Sequence, residues 1–226
     1  MRVLAIDTAL EACAAGLLDT DLNELVAGET LEMTRGHAEA LMPLIARVMD
    51  QSGIEFADLD RLAVTVGPGS FTGLRVGIAA ARGIALAAGK PAVGVSTLSA
   101  FAAPHVGGVE ATIAAAIDAK HGNVYMQVFA GNGRTLVAPR MTSVREAVRA
   151  ALAGPVRLVG PGATLLALQW PPDEPPPLLV EFRPAPDISW VARLGAAAEI
   201  GRTLPKPLYL RAPDARPQDA ARLPRR

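Results

Sequence analysis

The 226-residue chain predicts an α/β fold in which one lobe design is used twice, and three observations point to it. Ala5-Ile6-Asp7 near the start is echoed by Ala116-Ile117-Asp118 in the middle, and Val66-Gly67-Pro68-Gly69 is echoed by Val159-Gly160-Pro161-Gly162. Between the members of each pair lie the same kinds of segment in the same order, the second copy being shorter by about 18 residues between its aspartate and its glycines. Internal similarity of this kind settles an architecture ahead of any single motif.

Each element follows from its residues. Arg2 to Asp7 opens with an apolar strand, and Ala12 to Leu18 and Leu25 to Leu31 form strand-like runs around the turn Asp19-Thr20-Asp21-Leu22-Asn23. His37 to Asp50 has helical periodicity. A strand then ends at Val66-Gly67-Pro68-Gly69 and a helix follows over Thr72 to Ala88. In the second copy, Val124 to Phe129 and Thr135 to Pro139 flank Gly131-Asn132-Gly133, a hairpin signal. Ser143 and Glu146, spaced as a capping box, open the next helix. Trp170 to Pro177 is too rich in proline for an interior element, and a last helix is expected from about Ile188 to Gly201.

The order strand, strand, strand, helix, strand, helix, strand in each half is the actin/Hsp70-like (ASKHA, ribonuclease H-like) plan, with mixed five-stranded sheets and a reduced second lobe. The expected division is residues 1–104 for the first lobe, 105–201 for the second, and 202–226 for a proline-rich basic tail. That tail reads either as a solvated end or as a local contact for RNA.

Lysine plus arginine and aspartate plus glutamate stand at 22 each, which removes any argument from total charge for a nucleic-acid or membrane binder. Cys13 is the only cysteine, so no intramolecular disulfide is possible. The first residues lack the pattern of a signal peptide, and the apolar run from Val76 to Ala88 is broken by Arg82 and falls short of a bilayer span. A cytoplasmic protein with no membrane association is expected.

In a sheet of this kind ligands gather beyond the strand ends, so Asp7, Thr8, Gly67, Gly69, Ser70 and Asp118 are expected at one cleft between the lobes, as a vestigial nucleotide site. The glycine loops can cradle a phosphate or serve as structural turns. The loop after Asp7, Thr8-Ala9-Leu10-Glu11, has no glycine and carries a negative charge, which favours the turn. His37, His105 and His121 fit no metal motif, and Asp118 with Lys120 and His121 reads as a polar junction rather than an acid–base pair. No catalytic residue, metal or resident cofactor is expected.

The two long helices of the first lobe are too apolar for one neighbour. Ala38, Leu41, Met42, Leu44, Ile45, Ala46, Val48 and Met49 cover an arc of roughly 200°, whereas a helix on a sheet needs a stripe only somewhat over 100° wide. Thr72 to Ala88 has only Arg75 and Arg82 as charged residues, and Gly73, Gly77, Ala81 and Ala85 repeat every four residues as a flat ridge. The surplus surface meets either the chain's own second half or another subunit.

His37-Ala38-Glu39-Ala40-Leu41-Met42-Pro43-Leu44-Ile45, Val66-Gly67-Pro68-Gly69-Ser70-Phe71-Thr72-Gly73-Leu74-Arg75-Val76-Gly77 and Gly94-Val95-Ser96-Thr97-Leu98 resemble the TsaB (YeaZ) family. Ala5-Ile6-Asp7-Thr8, Ala116-Ile117-Asp118-Ala119-Lys120 and Tyr209-Leu210-Arg211 are similar too, and the resemblance is dense to about residue 130 and thin afterwards.

The resemblance implies a non-catalytic subunit that serves formation of N6-threonylcarbamoyladenosine beside the anticodon of tRNA. Its partners would be a TsaD-type catalytic subunit and a TsaE-type ATPase, with tRNA met only through the complex and a homodimer when alone. In the TsaD paralogue two histidines bind a metal; their positions here are Thr97 and Phe101, which cannot replace imidazole. The family's helix pair joins its partner as a four-helix bundle, which assigns Leu41, Ile45, Val48, Gly73, Leu74, Gly77, Ala81 and Ala85 to the interface. Two enzyme readings stand beside this one: an ATP-dependent kinase of the same superfamily, resting on Asp7 and the glycine loops, and a glycoprotease-like peptidase.

Overall fold

A computed structural model describes residues 1–107, 111–201 and 203–210. Among these residues ten strands form two sheets. The first contains β1 (Arg2–Asp7), β2 (Ala12–Asp19), β3 (Glu24–Glu32), β4 (Arg61–Gly67) and β5 (Ala92–Ser96), in the order β3-β2-β1-β4-β5. The second contains β6 (Thr112–Lys120), β7 (Asn123–Phe129), β8 (Thr135–Ser143), β9 (Val156–Val159) and β10 (Leu179–Glu181), in the order β10-β9-β6-β7-β8. Each opens with an antiparallel meander and continues with parallel pairings, β1 beside β4 and β6 beside β9. The duplicated actin/Hsp70-like lobe, read from two short sequence echoes, is the observed architecture.

The central strands are apolar on both faces because helices cover both. On one face of the first sheet lie α1 (His37–Ser52) and α2 (Phe71–Ala88), burying Leu41, Leu44, Ile45, Val48, Leu74, Ile78, Ala81 and Ala85 against Leu4, Ile6, Leu62 and Val64. The second sheet is covered on one face by α4 (Val144–Ala151) and α5 (Ala163–Leu168). The capping box is realised at α4, where Ser143 Oγ accepts from the Glu146 amide at 3.2 Å.

The remaining faces are covered by exchange. α3 (Thr97–Ala102), which follows β5, packs Leu98, Phe101 and Ala102 on Ile113, Ala115 and Ile117 of the second sheet. α6 (Ile188–Ala197) returns to the first sheet, where Ile188, Val191 and Ala192 meet Val3, Ala5, Ala63 and Val93. The division at 104/105 and 201/202 therefore needs correcting at both edges. Each short helix packs on the sheet to which the strand before it does not belong, because each sheet has an apolar face left bare by its own helices.

The end of the chain is corrected too. Leu208 donates its amide to Val66 O at 2.7 Å, Arg82 donates to Pro205 O, Arg75 donates to the Tyr209 hydroxyl at 3.1 Å, and the Tyr209 ring stacks on Phe71. Residues 203–210 thus lie along one flank of α2 instead of reading as a solvated tail, and residue 202 and residues 211–226 lie outside the described part. The flank is held by two arginines, the only charged residues of α2.

α2 is 18 residues long with mean hydropathy 1.3, enough for a membrane span by length and composition, yet one side of it is a core face. Its opposite side presents Thr72, Ala79, Gly83 and Ala87 to solvent. A Cβ on Gly83 would meet nothing within 4 Å, and the residue is helical. Gly83→Ala should therefore stabilise the monomeric chain by about 0.5–1 kcal/mol, because it removes unfolded-state freedom without strain; a urea titration at a concentration where the chain is monomeric checks this.

Candidate functional site

Two features stand out, a cleft between the lobes and the uncovered side of the helix pair. The cleft has a volume of about 830 Å³ and runs between the loop after β1, the start of α1, the start of α2 and the end of β6. Of the six residues expected there, Gly69, Ser70 and Asp118 line it. Asp7, Thr8 and Gly67 do not; they are buried beneath its wall. The walls also carry Glu11, Arg35, His37, Glu39 and Lys120, with Tyr125 and Phe182 as apolar surface.

The geometry of the wall explains this displacement. β1 is the middle strand of its sheet, and the first turn of α2 sits directly on the loop that leaves it. A Cβ at Gly73 would fall on the Thr8 carbonyl oxygen and one at Gly77 on Thr8 Oγ1, both far inside van der Waals distance. The Thr8 hydroxyl donates to Gly73 O at 2.7 Å and closes the contact. Gly73 and Gly77 are thus required by the chain's own loop. Together with Leu41, Ile45, Val48, Leu74, Ala81 and Ala85, all buried, they face inward. The interface assignment for these eight residues is corrected accordingly. The exposed small and apolar residues of the pair are Ala38, Met42, Pro43 and Ala46 on α1, and Thr72, Ala79, Gly83, Leu86 and Ala87 on α2, with Leu86 at 85% exposure, and Glu39, Arg47, Asp50, Gln51, Phe71 and Arg75 are exposed beside them.

Asp7 is wholly enclosed. Its Oδ1 accepts from the Thr65 hydroxyl at 2.5 Å and from the Ala9 amide at 3.0 Å, while Oδ2 has no partner among the described residues. Burial raises its pKa above the ordinary carboxylate range, against the lowering effect of those hydrogen bonds. In the pH window above the unfolded-state pKa the folded chain holds this proton longer than the unfolded chain does. That stability is lost as pH rises through the folded value. The stability of Asp7→Asn relative to the native chain should therefore fall on acidification from pH 7 towards 4, measured as paired urea midpoints in which other groups cancel.

The glycine loops act as turns. Gly67 and Gly160 have φ of 114° and 95°, a region open to glycine. Ser70 donates its amide to Ala9 O at 2.7 Å and Gly162 donates to Ala116 O at 2.9 Å, so each glycine loop is tied to the first strand of its lobe or the loop leaving it, through different positions of the two echoes. Ser70 Oγ caps α2 by accepting from the Gly73 amide at 3.2 Å. Two groups that a phosphate would use are already engaged inside the chain, so these loops fit a nucleotide phosphate poorly.

His37 Nε2 lies 3.0 Å from Leu10 O, and Lys120 Nζ is paired with Asp118 at 3.0 Å. Thr97 is buried with its hydroxyl unpaired among the described residues, and Phe101 fills the core between the lobes. A metal does not fit there, since an aromatic ring occupies the position where a second donor would be needed. Sequence reasoning missed the docking of residues 203–210, for which the aromatic and cationic spacing of Phe71, Arg75 and Arg82 on one helical side was the available signal.

The comparisons with known proteins agree with this geometry. Residues 30–161 match the family described as TsaD: tRNA N6-adenosine threonylcarbamoyltransferase. The Escherichia coli tRNA threonylcarbamoyladenosine biosynthesis protein TsaB is 42% identical over 127 residues, 55% of this chain and 53% of that protein. The chain thus spans about half the length of the curated TsaB relatives it matches. Over nearly the full length, the uncharacterized protein Rv3421c of Mycobacterium tuberculosis is 35% identical across 95% of this chain and 94% of its own. The crystal structure of YeaZ from Pseudomonas aeruginosa superposes with a TM-score of 0.70 at 25% identity, covering 92% of this chain and 99% of that one. A second structure from that organism, described as an uncharacterized protein with similarity to peptidase YEAZ, gives 0.75 at the same identity, over 93% and 99%. On a match to more than half of its residues, with TsaB and YeaZ among its relatives and solved neighbours, this chain belongs to the TsaB (YeaZ) side of the threonylcarbamoyltransferase family.

Proposed function

We propose that the chain is a non-catalytic subunit of a cytoplasmic assembly that forms N6-threonylcarbamoyladenosine in tRNA, and that it pairs with a TsaD-type catalytic subunit through the outward side of α1 and α2. A TsaE-type ATPase is the third member, tRNA is met in the complex, and the same outward side joins two copies when the chain is alone. The names of its TsaB relatives support the pathway.

One observation carries the pairing: only 33% of α2 is buried, although it is apolar enough to cross a membrane. Its bare side is built of small residues, and Met42 and Ala46 are exposed on the neighbouring helix α1. Small side chains let a second helix backbone approach closely, and a contiguous exposed apolar surface is a recognised mark of a protein interface. The non-catalytic role is supported by the cleft, where the loop amides, the histidine and the lysine are already paired and no donor stands at Phe101.

Reconstitution tests the reading. Given an activated threonylcarbamoyl donor and ATP, a TsaD-type subunit, a TsaE-type ATPase and this chain together should modify tRNA, while omission of the chain should abolish the product and the chain alone should make none. Product from the chain alone, or an unchanged rate without it, would overturn the proposal.

A further inference from the structure

The balanced total charge conceals a strong separation. Residues 1–60 carry twelve carboxylates against Arg2, Arg35 and Arg47, whereas residues 121–170 carry five arginines against Glu146 alone. The fold turns this into two faces of opposite sign. The meander β2–β3 and helix α1 hold most of the carboxylates, and the β8 strand with helix α4 holds the arginines at the far edge of the second sheet.

Arg140 on β8 and Arg145 and Arg149 on α4 are exposed. Arg145 and Arg149 are four residues apart and share one side of the helix. Arg140 and Arg149 line one shallow hollow with Met141, Thr142, Glu146 and Ala150, about 540 Å³ in volume. Among the described residues none of the three arginines forms a salt bridge or donates a side-chain hydrogen bond. Glu146, the one carboxylate nearby, instead accepts from the hydroxyls of Thr142 and Ser143, at 2.6 and 3.2 Å. Several other arginines are used inside the chain, Arg47 by Glu29, Arg61 by three carbonyls of the α6 end and Arg157 by His105 O, while Arg35 and Arg134 are likewise exposed without a side-chain partner but stand singly.

We infer that the β8–α4 face is a contact surface for the phosphate backbone of RNA, read by Arg140, Arg145 and Arg149. The inference rests on the proposed role in tRNA modification, which supplies the polyanion, and adds the place where this subunit touches it. Charge complementarity favours RNA. Unpaired guanidinium groups on an exposed helix side suit phosphate oxygens, and the concentration of carboxylates in the other lobe favours approach of a polyanion to this one. The surface lies on the second lobe, away from the helix pair proposed to hold the catalytic subunit, so both contacts can be made at once.

The test uses the reconstituted complex with tRNA and a triple variant, R140Q/R145Q/R149Q. Because these side chains hold nothing in the fold, its melting temperature and its affinity for the TsaD-type subunit should be unchanged. Affinity of the complex for tRNA should fall about tenfold or more near 0.1 M salt, and the log–log salt slope should flatten by about two to three. Unchanged tRNA affinity and slope in an intact complex would overturn this surface while leaving the proposed function standing. A variant that lost the catalytic subunit, with the tRNA affinity of the remaining complex unchanged, would show a protein contact and also overturn it. Failure of the native chain to join any complex would instead strike at the proposed function.

Discussion

Gly83→Glu is expected to abolish association with a TsaD-type subunit while the isolated chain stays folded. The residue lies on the bare side of α2 with nothing within 4 Å of a built Cβ, so the free chain has room for the larger side chain. In a helix-to-helix contact the same carboxylate would be trapped without a partner, at a cost of about 3–5 kcal/mol. That is a loss of about a hundredfold to a few thousandfold in affinity, readable by sedimentation velocity. Gly83→Ala makes the same point more gently, since its methyl group should raise stability in the monomer and weaken the pair. Gly77→Glu, by contrast, is a poor probe of any interface. Its side chain would strike Thr8 and unfold the lobe before a partner could be tested.

Gly73→Ala should destabilise the chain by about 3 kcal/mol, lowering the melting temperature by roughly 6–12 °C for a protein of this size. The added methyl group falls on the Thr8 carbonyl, a backbone atom fixed at the end of the central strand β1 between β2 and β4. It has no rotamer to escape through, and shifting α2 outward would break the Thr8–Gly73 hydrogen bond. A shift smaller than about 2 °C would mean that α2 does not rest on this loop as described.

The repeat was legible because its markers are backbone requirements. Gly67 and Gly160 need positive φ and Gly69 and Gly162 need close approach, so both copies keep the same short word. The excess apolar width of α1 and α2 was legible for a similar reason, since charged residues are nearly absent from α2. Which side of α2 met the sheet was not legible. A glycine and alanine ridge serves a partner helix or the chain's own loop equally well, and only the position of Thr8 decides between them. Asp7 was correctly placed at a strand end, but sequence carries no depth, and the first turn of α2 walls it off from the cleft. The crossing of α3 and α6 between sheets was hidden because nothing local to a short apolar helix says which sheet it will cover. The proline-rich composition of 203–210 suggested solvent, whereas Phe71, Arg75 and Arg82 supply a surface on which that segment docks.

The pairing of the helices can be read with a single thiol. Cys13 is the only cysteine, is buried, and has its pKa pushed up to about 11 by that burial, so it is a poor nucleophile at neutral pH. Ala79→Cys places a reactive thiol on the bare side of α2, and Leu136→Cys places another on the exposed edge of the second lobe. Both should react rapidly with a maleimide in the free chain diluted until it is monomeric. With a TsaD-type subunit in excess, Ala79→Cys should become protected and Leu136→Cys should not; labelling of Ala79→Cys at the free-chain rate within a demonstrated complex would contradict the account.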